Sequence, residues 1–181
     1  MDAPSLQFEE FDMYHLAIRQ FSRTLKNLDN ILGKAVSHAE ARKFDVNNFC
    51  SARVFPDMLP FPVQIRIATD MAKAAAASLS GKEAPKFEDN ETTIEQLRAR
   101  IRRCTEYLDG LSEKDFEKVN SKSVIKIPYP PNKAMTADEY LFGRQIPNFF
   151  FHVTTTYNLL RQGGVDIGKM DYLGNLSMLD A

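Results

Sequence analysis

The sequence of 181 residues lacks tryptophan, has only two cysteines and three histidines, and carries a net charge of only −1. Because neither charge is in excess, the protein has no net positive potential that would attract polyanions, and we do not expect nucleic acid as a partner. Cys50 and Cys104 could form one disulfide at most, and a chain of this length can fold without one. We therefore expect a cytoplasmic setting and a single domain over residues 1–181.

Long apolar segments are also missing. The longest ones, residues 72–79 and 146–153, fall well short of the roughly 20 residues that a membrane-spanning helix needs. The N-terminus is acidic where a signal peptide would be basic and then apolar. We expect no targeting segment and no membrane as a partner.

Apolar residues recur at helical spacing near the N-terminus and predict a helix over about residues 10–42. Their spacings alternate between four and three, which places them on one face: Tyr14, Ile18, Phe21, Leu25, Leu28, Leu32 and Ala35. A helix of this length spans roughly 45 Å and cannot bury that face alone. The pattern implies a bundle of helices.

A second helix is predicted over about residues 59–80, with Asp57 as its N-cap and Gly81 just after its end. Its predicted inner face consists of Ile67, Met71, Ala75 and Leu79. A third helix, over about 93–109, follows a Thr92-x-x-Glu95 capping box. This helix carries four arginines, Arg98, Arg100, Arg102 and Arg103. Because acidic residues are interleaved with them, we favour a solvated face over a ligand or anion site.

The segment at 124–136 indicates a small β-hairpin, because VIKIPY alternates in polarity and PPN is typical of a turn. A Thr136-x-x-Glu139 capping box then precedes a long apolar helix that ends at Gly163. Pro147 should kink or break this helix.

The last helix carries four polar residues within two turns, namely Asn148, His152, Thr155 and Thr156. Buried polar groups must be paired, so these residues either satisfy each other inside the bundle or face a cavity. For His152 we favour a hydrogen bond to a facing helix. Ligand binding or proton transfer is the second interpretation, and metal ligation is the weakest because this helix supplies a single His.

The second helix and the residues just before it offer three possible polar counterparts of His152, namely Asp57, Gln64 and Asp70. Asp57 is expected as a cap, while Asp70 either pairs with Arg66 or points toward His152. The sequence contains no Gly-x-Ser-x-Gly, no P-loop and no Gly-x-Gly-x-x-Gly. Serine hydrolysis, nucleotide hydrolysis and dinucleotide redox chemistry therefore lack their usual motifs.

Several stretches together resemble an uncharacterised family, a domain of unknown function, in the DinB/YfiT-like superfamily. They are HAEAR at 38–42, PDMLPFPVQIRIATDMAK at 56–73, FEDNETTIEQLRARI at 87–101, PNFFFHVTTTYNLLRQGGV at 147–165 and GKMDYLG at 168–174. The resemblance implies an all-α fold, a DinB/YfiT-like four-helix bundle, into which we place the small β-hairpin between helices three and four. It also implies a homodimer.

Better-studied members of that superfamily bind a divalent metal through one His on helix two and a His-x-x-x-His pair on helix four. Here the pair is His152 and Thr156, and the helix-two position falls near Gln64. The resemblance thus implies a degenerate metal site in which His152 is the only retained ligand, and we expect no metal and no cofactor. The cavity of these relatives would be lined here by Gln64, Asn148, His152, Thr156 and Tyr157.

Three functions are compatible with these observations. The first is a metal-independent small-molecule-binding protein with a cavity around His152. The second, from the resemblance, is a thiol-dependent transferase or isomerase-like enzyme with an altered site, in which His152 acts as a base oriented by Asp57 or Asp70. The third is a structural or interaction protein. We favour the first, and the sequence leaves open whether the protein is an enzyme.

Overall fold

A computed structural model describes residues 10–179, with residues 10–12 described in their backbone alone. The N-terminal stretch that bears on a targeting segment lies outside these residues. Residues 10–179 contain five α-helices: α1 (Glu10–Arg42), α2 (Phe61–Ser80), α3 (Ile94–Asp109), α4 (Ile146–Gln162) and α5 (Lys169–Leu173). Strands β1 (Val124–Ile127) and β2 (Lys133–Thr136) form an antiparallel hairpin between α3 and α4. The predicted fold class is confirmed.

The four long helices form the bundle. Helix α2 packs against both α3 and α4, α1 packs mainly against α3, and α5 lies on α1. The predicted stripe of α1 is fully buried, and the ring of its Phe21 meets Phe149 of α4 with 4.6 Å between centroids. Two short 3-10 helices, Val46–Ser51 and Glu113–Phe116, lie in the connections that come after α1 and α3. Among residues 10–179 no helix is long and apolar enough to cross a membrane.

The predicted inner face of α2 is only half right. Ala75 and Leu79 are buried, whereas Ile67 and Met71 are half-buried. Apolar residues of α2 occur on more than one side of the helix near its middle. Their spacing alone therefore does not show which face meets the two neighbouring helices. The buried positions of α2 include Phe61, Ile65, Ala68, Thr69, Ala72, Ala75, Ala76 and Leu79.

Two predicted N-caps are wrong. Asp57 is exposed in a turn, and Pro60 caps α2 instead. Helix α3 is capped by Thr93 rather than Thr92: Thr93 Oγ1 accepts from the backbone N–H of Gln96 at 3.3 Å, and Gln96 Oε1 accepts from the Thr93 N–H at 3.1 Å. The side chain of Asn47, distant in sequence, accepts the Ile94 N–H at 2.9 Å and so selects the later start.

The end of α2 is as predicted, because Gly81 adopts a positive φ of 72° and donates its N–H to Ala77 O. Before α4, residues Glu139–Gln145 form a π-helical segment that runs into α4 without a break. Pro147 lacks a backbone N–H, and the wider π-helical turns before it rearrange the hydrogen-bond ladder at this point. Where a kink or break was predicted, the structure therefore has a change from π-helix to α-helix.

Candidate functional site

Gln64 of α2 and His152 of α4 meet in the interface between the two helices. Oε1 of Gln64 lies 2.6 Å from Nδ1 of His152, and Nε2 of Gln64 donates to the carbonyl oxygen of Leu59 at 2.7 Å. Both side chains are buried, with only 7% of His152 exposed. The structure thus brings together the two residues that the resemblance placed at one site.

This geometry determines which nitrogen of His152 carries the proton. Because the amide nitrogen of Gln64 is used by Leu59, its oxygen faces the imidazole and accepts the Nδ1 proton. Burial lowers the pKa of His152, which keeps the ring neutral near pH 7. A neutral ring protonated at Nδ1 presents a lone pair at Nε2.

Nε2 of His152 makes no hydrogen bond to the described residues, and it is not enclosed. Within residues 10–179, Gln145 Oε1 is the only fully buried side-chain nitrogen or oxygen without a partner. Nε2 therefore reaches the surface. Phe151, 55% exposed, places its ring perpendicular to the imidazole at 5.2 Å, and the 47% exposed Leu59 holds the amide partner of His152.

The other residues predicted to line the cavity are less closely grouped. Asn148 donates to Met71 Sδ at 3.2 Å, which connects α4 to α2 in the same interface. Thr156 is fully buried and donates to the backbone carbonyl of His152 at 2.9 Å. Tyr157 donates to Ile167 O at 3.4 Å and borders a different, shallow pocket beside α5. Each of these polar residues of α4 therefore has a hydrogen-bond partner of its own.

Asp70 takes neither of its predicted positions. Its carboxylate accepts from Arg100 Nη2 at 2.8 Å and pairs with Lys73 at 2.9 Å, whereas Arg66 pairs with Glu91 at 3.0 Å. Asp70 thus contacts Arg100 of α3 and Lys73 of its own helix, and it forms no ion pair with His152 among the described residues. Asp57 is exposed, and it forms no ion pair with His152 within the described part of the chain.

The prediction of a solvated face on α3 is wrong at Arg100. Only 1% of its side chain is exposed, and Nη1 contacts Asp89 at 2.6 Å and Glu91 at 2.9 Å, while Nε donates to Thr69 at 2.7 Å. The loop before α3 supplies both of those carboxylates and covers the guanidinium. Position 100 borders the apolar stripe of α3, which is the sequence signal that indicates burial.

A second polar cluster that the sequence did not reveal lies further along the α2–α4 interface. Nε2 of Gln145 donates to Met71 O at 3.2 Å and to Tyr140 Oη at 3.0 Å, and Tyr140 Oη lies 3.2 Å from Ser78 Oγ. Together with the Gln64–His152 pair, these contacts make a polar seam along α2 and the helix that faces it. Positions 64, 71 and 78 are seven residues apart, so they lie on one face of α2.

The fold and this seam define a four-helix bundle of the DinB type with one histidine–amide pair between its second and fourth long helices. The chain belongs to the DUF1993 family, a domain of unknown function, whose pattern matches residues 13–173. Among solved structures it is similar to a DinB family member protein from Shewanella denitrificans, with 40% identity and a TM-score of 0.87. That match covers 93% of this chain and 96% of the other. Among curated proteins none matches significantly.

Proposed function

We propose that the protein binds a small organic molecule without a metal, and that this molecule donates a hydrogen bond to Nε2 of His152. The observation that carries the proposal is the hydrogen bond between Nδ1 of His152 and Oε1 of Gln64, 2.6 Å long. The amide nitrogen of Gln64 is held in turn by the carbonyl oxygen of Leu59. This arrangement turns the lone pair of a neutral imidazole toward the surface and holds it there. A preformed acceptor of this kind costs little entropy when a ligand binds.

The surroundings of His152 indicate the class of ligand. The exposed ring of Phe151 offers apolar surface beside the imidazole, while Nε2 offers a hydrogen-bond acceptor. A molecule with an apolar body and one hydroxyl donor, such as a phenol or a small alcohol, matches both features.

The donor set around His152 supports binding without a metal. Within the described part of the chain no group of three or more His, Cys, Asp or Glu side chains is placed to hold a metal ion. The oxygen of Gln64 is already used by Nδ1 of His152. A transition metal at Nε2 would have one imidazole ligand, where stable sites need three or four protein ligands. The degenerate metal site is part of this proposal.

The test is a titration with phenol and benzyl alcohol, followed through the ring resonances of His152 by NMR. We expect saturable shifts at His152 in the wild type and in His38→Ala, a half-buried histidine near the end of α1, and a calorimetric binding heat with the same ligands that is lost in His152→Ala. Added Zn²⁺ should give no increase in Tm. Titrations that leave the His152 resonances unchanged, or a binding heat that survives in His152→Ala, would refute the proposal.

A structural role is the second candidate. It is favoured by the internal pairing of Gln64, Thr155 and Thr156, whose hydroxyl or amide groups all have partners within the chain. In that case His152→Gln would lower the free energy of unfolding, and no ligand would stabilise the native protein. The transferase alternative has less support, since the ion pairs of Asp70 are with Arg100 and Lys73.

The homodimer and the cytoplasmic setting remain predictions. A homodimer would be recognised by light scattering at micromolar concentration. A monomeric mass in that experiment would remove the expectation of self-association.

A further inference from the structure

A cavity of about 610 Å³ lies between α1 and the C-terminal segment, and none of its lining residues belongs to the polar seam. One face of α1 supplies most of its wall, and α5 with the residues after it supplies the other side. Four cationic side chains border the cavity, namely Arg19, Arg23, Lys26 and Lys34. Its carboxylates are Asp109 and Asp171, which leaves a surplus of two positive charges.

Both carboxylates are already neutralised by lysines. Asp109 accepts from Lys26 Nζ at 2.6 Å and from Ser22 Oγ at 2.6 Å. Asp171 pairs with Lys34 Nζ at 2.6 Å and accepts the backbone N–H of Gly168 at 2.8 Å. The surplus charge therefore resides on the two arginines.

Neither guanidinium has a carboxylate within 4 Å among the described side chains. Arg23 Nη2 donates to two neutral oxygens, Leu173 O at 3.2 Å and Asn175 O at 2.7 Å, and Arg19 is exposed without a hydrogen bond to the same described residues. The two arginines are four residues apart on one helix, where like charges repel and destabilise the helix. A bound anion would remove this repulsion.

The opposite wall is held in place by side chains of α1. Asn27 Nδ2 donates to Tyr172 O at 3.1 Å, and Arg23 holds two further carbonyl groups along the segment. Gly174 adopts a positive φ of 68°, and a Cβ atom there would collide with the Asn27 side chain, so the segment lies close against α1. The cavity thus has two walls that side-chain contacts connect.

We infer that this cavity binds a small phosphate monoester, whose dianion sits between Arg19 and Arg23 while its organic part fills the remaining space. Guanidinium groups bind phosphate through paired, charge-assisted hydrogen bonds, and the surplus of two positive charges matches the dianion. The inference is independent of His152, which does not border this cavity.

The test uses phenyl phosphate as the probe, titrated calorimetrically into the full-length protein at low ionic strength. Arg19→Ala removes a guanidinium that has no hydrogen bond or ion pair in the described part of the chain, so the variant should fold normally. We expect it to weaken binding about tenfold, because a charge-assisted hydrogen bond contributes about that much. Arg42→Ala is the matched control, since Arg42 is an exposed arginine on the same helix outside the cavity.

The expected pattern is a measurable affinity in the wild type and in Arg42→Ala, with the loss confined to Arg19→Ala and Arg23→Ala. Benzyl alcohol, which lacks the phosphate, should not compete with the probe. No detectable binding by the wild type would overturn the inference. An equal loss in Arg42→Ala would also overturn it, because the protein's general field would then explain the binding.

Discussion

The amide of Gln64 joins three parts of the chain, since its oxygen lies 2.6 Å from Nδ1 of His152 and its nitrogen donates to Leu59 O. The start of α2, the segment before it and the middle of α4 are thereby held together. Replacing the oxygen or the nitrogen of this amide changes the tautomer or the pKa of His152 without altering its ring. Substitutions of Gln64 can therefore be used to test what controls the protonation of His152.

Gln64→Glu should raise the pKa of His152. A carboxylate in place of the amide oxygen stabilises the imidazolium and opposes the burial that lowers the pKa in the native protein. We expect an increase of about one unit or more, measured by NMR titration of the ring resonances. Gln64→Leu, which introduces no charge, is the control. A pKa that is equal in the two variants would show that residue 64 does not contact the ring.

Stability should fall as the pH drops below about 6.5, and part of that fall should come from His152. Burial holds its pKa in the folded state below the ordinary value of 6.5, so the unfolded chain takes up a proton that the folded chain refuses. The contribution is fully present above pH 6.5 and is lost as the pH falls through the folded-state pKa.

Urea unfolding at about pH 7.5 and pH 5.5 measures this contribution. The difference between the two free energies of unfolding should be smaller in His152→Gln than in the wild type. An identical difference in both proteins would mean that His152 titrates alike in the folded and unfolded states.

Arg100→Met should destabilise the protein strongly, by about 3–5 kcal/mol. The substitution keeps an unbranched side chain but leaves the carboxylates of Asp70, Asp89 and Glu91 without the guanidinium that they share. Arg102→Met is the control, because Arg102 is 47% exposed and its ion pairs should contribute less than about 1 kcal/mol. Chemical denaturation compares the two. Equal losses would show that burial of Arg100 adds nothing.

Two nearby phenylalanines of α4 should respond very differently to truncation. Phe149 is fully buried against Phe21, so Phe149→Ala should cost about 3–5 kcal/mol of unfolding free energy. Phe151 is 55% exposed, and Phe151→Ala should cost less than about 1 kcal/mol. Thermal unfolding of both variants gives the comparison. A large loss in Phe151→Ala would indicate that its ring is covered in solution, as in a homodimer.

Helical periodicity predicted the bundle well because long apolar stripes leave little choice of face. The buried stripe of α1 is an example. The hairpin at 124–136 was predicted from a different pattern, the local alternation of polarity at Val124–Ile127. The face of α2 was harder to predict, because Ile67 and Met71 are as apolar as the residues that the bundle buries. Local spacing carries no information about which of two apolar faces meets a neighbour.

Contacts between distant residues escaped the sequence for a related reason. The burial of Arg100 depends on Asp89 and Glu91, which belong to a loop whose path is set by the whole bundle. The start of α3 depends on Asn47, which lies in the connection after α1. Gln64 was one of three polar counterparts of His152 that the sequence offered, and only the resemblance to metal-binding relatives selected this pairing. No periodicity would have suggested it.

The π-helical segment at Glu139–Gln145 changes the helical phase between the residues before it and those of α4. Each π-helical turn contains more residues than an α-helical one, so the segment rotates the preceding residues about the helix axis relative to α4. Asp138, just before the segment, accepts the Tyr14 hydroxyl of α1 at 2.7 Å, and His152, after it, contacts Gln64 of α2. The segment acts as a phase shift within one continuous helix, so that side chains before and after it follow different helical registers.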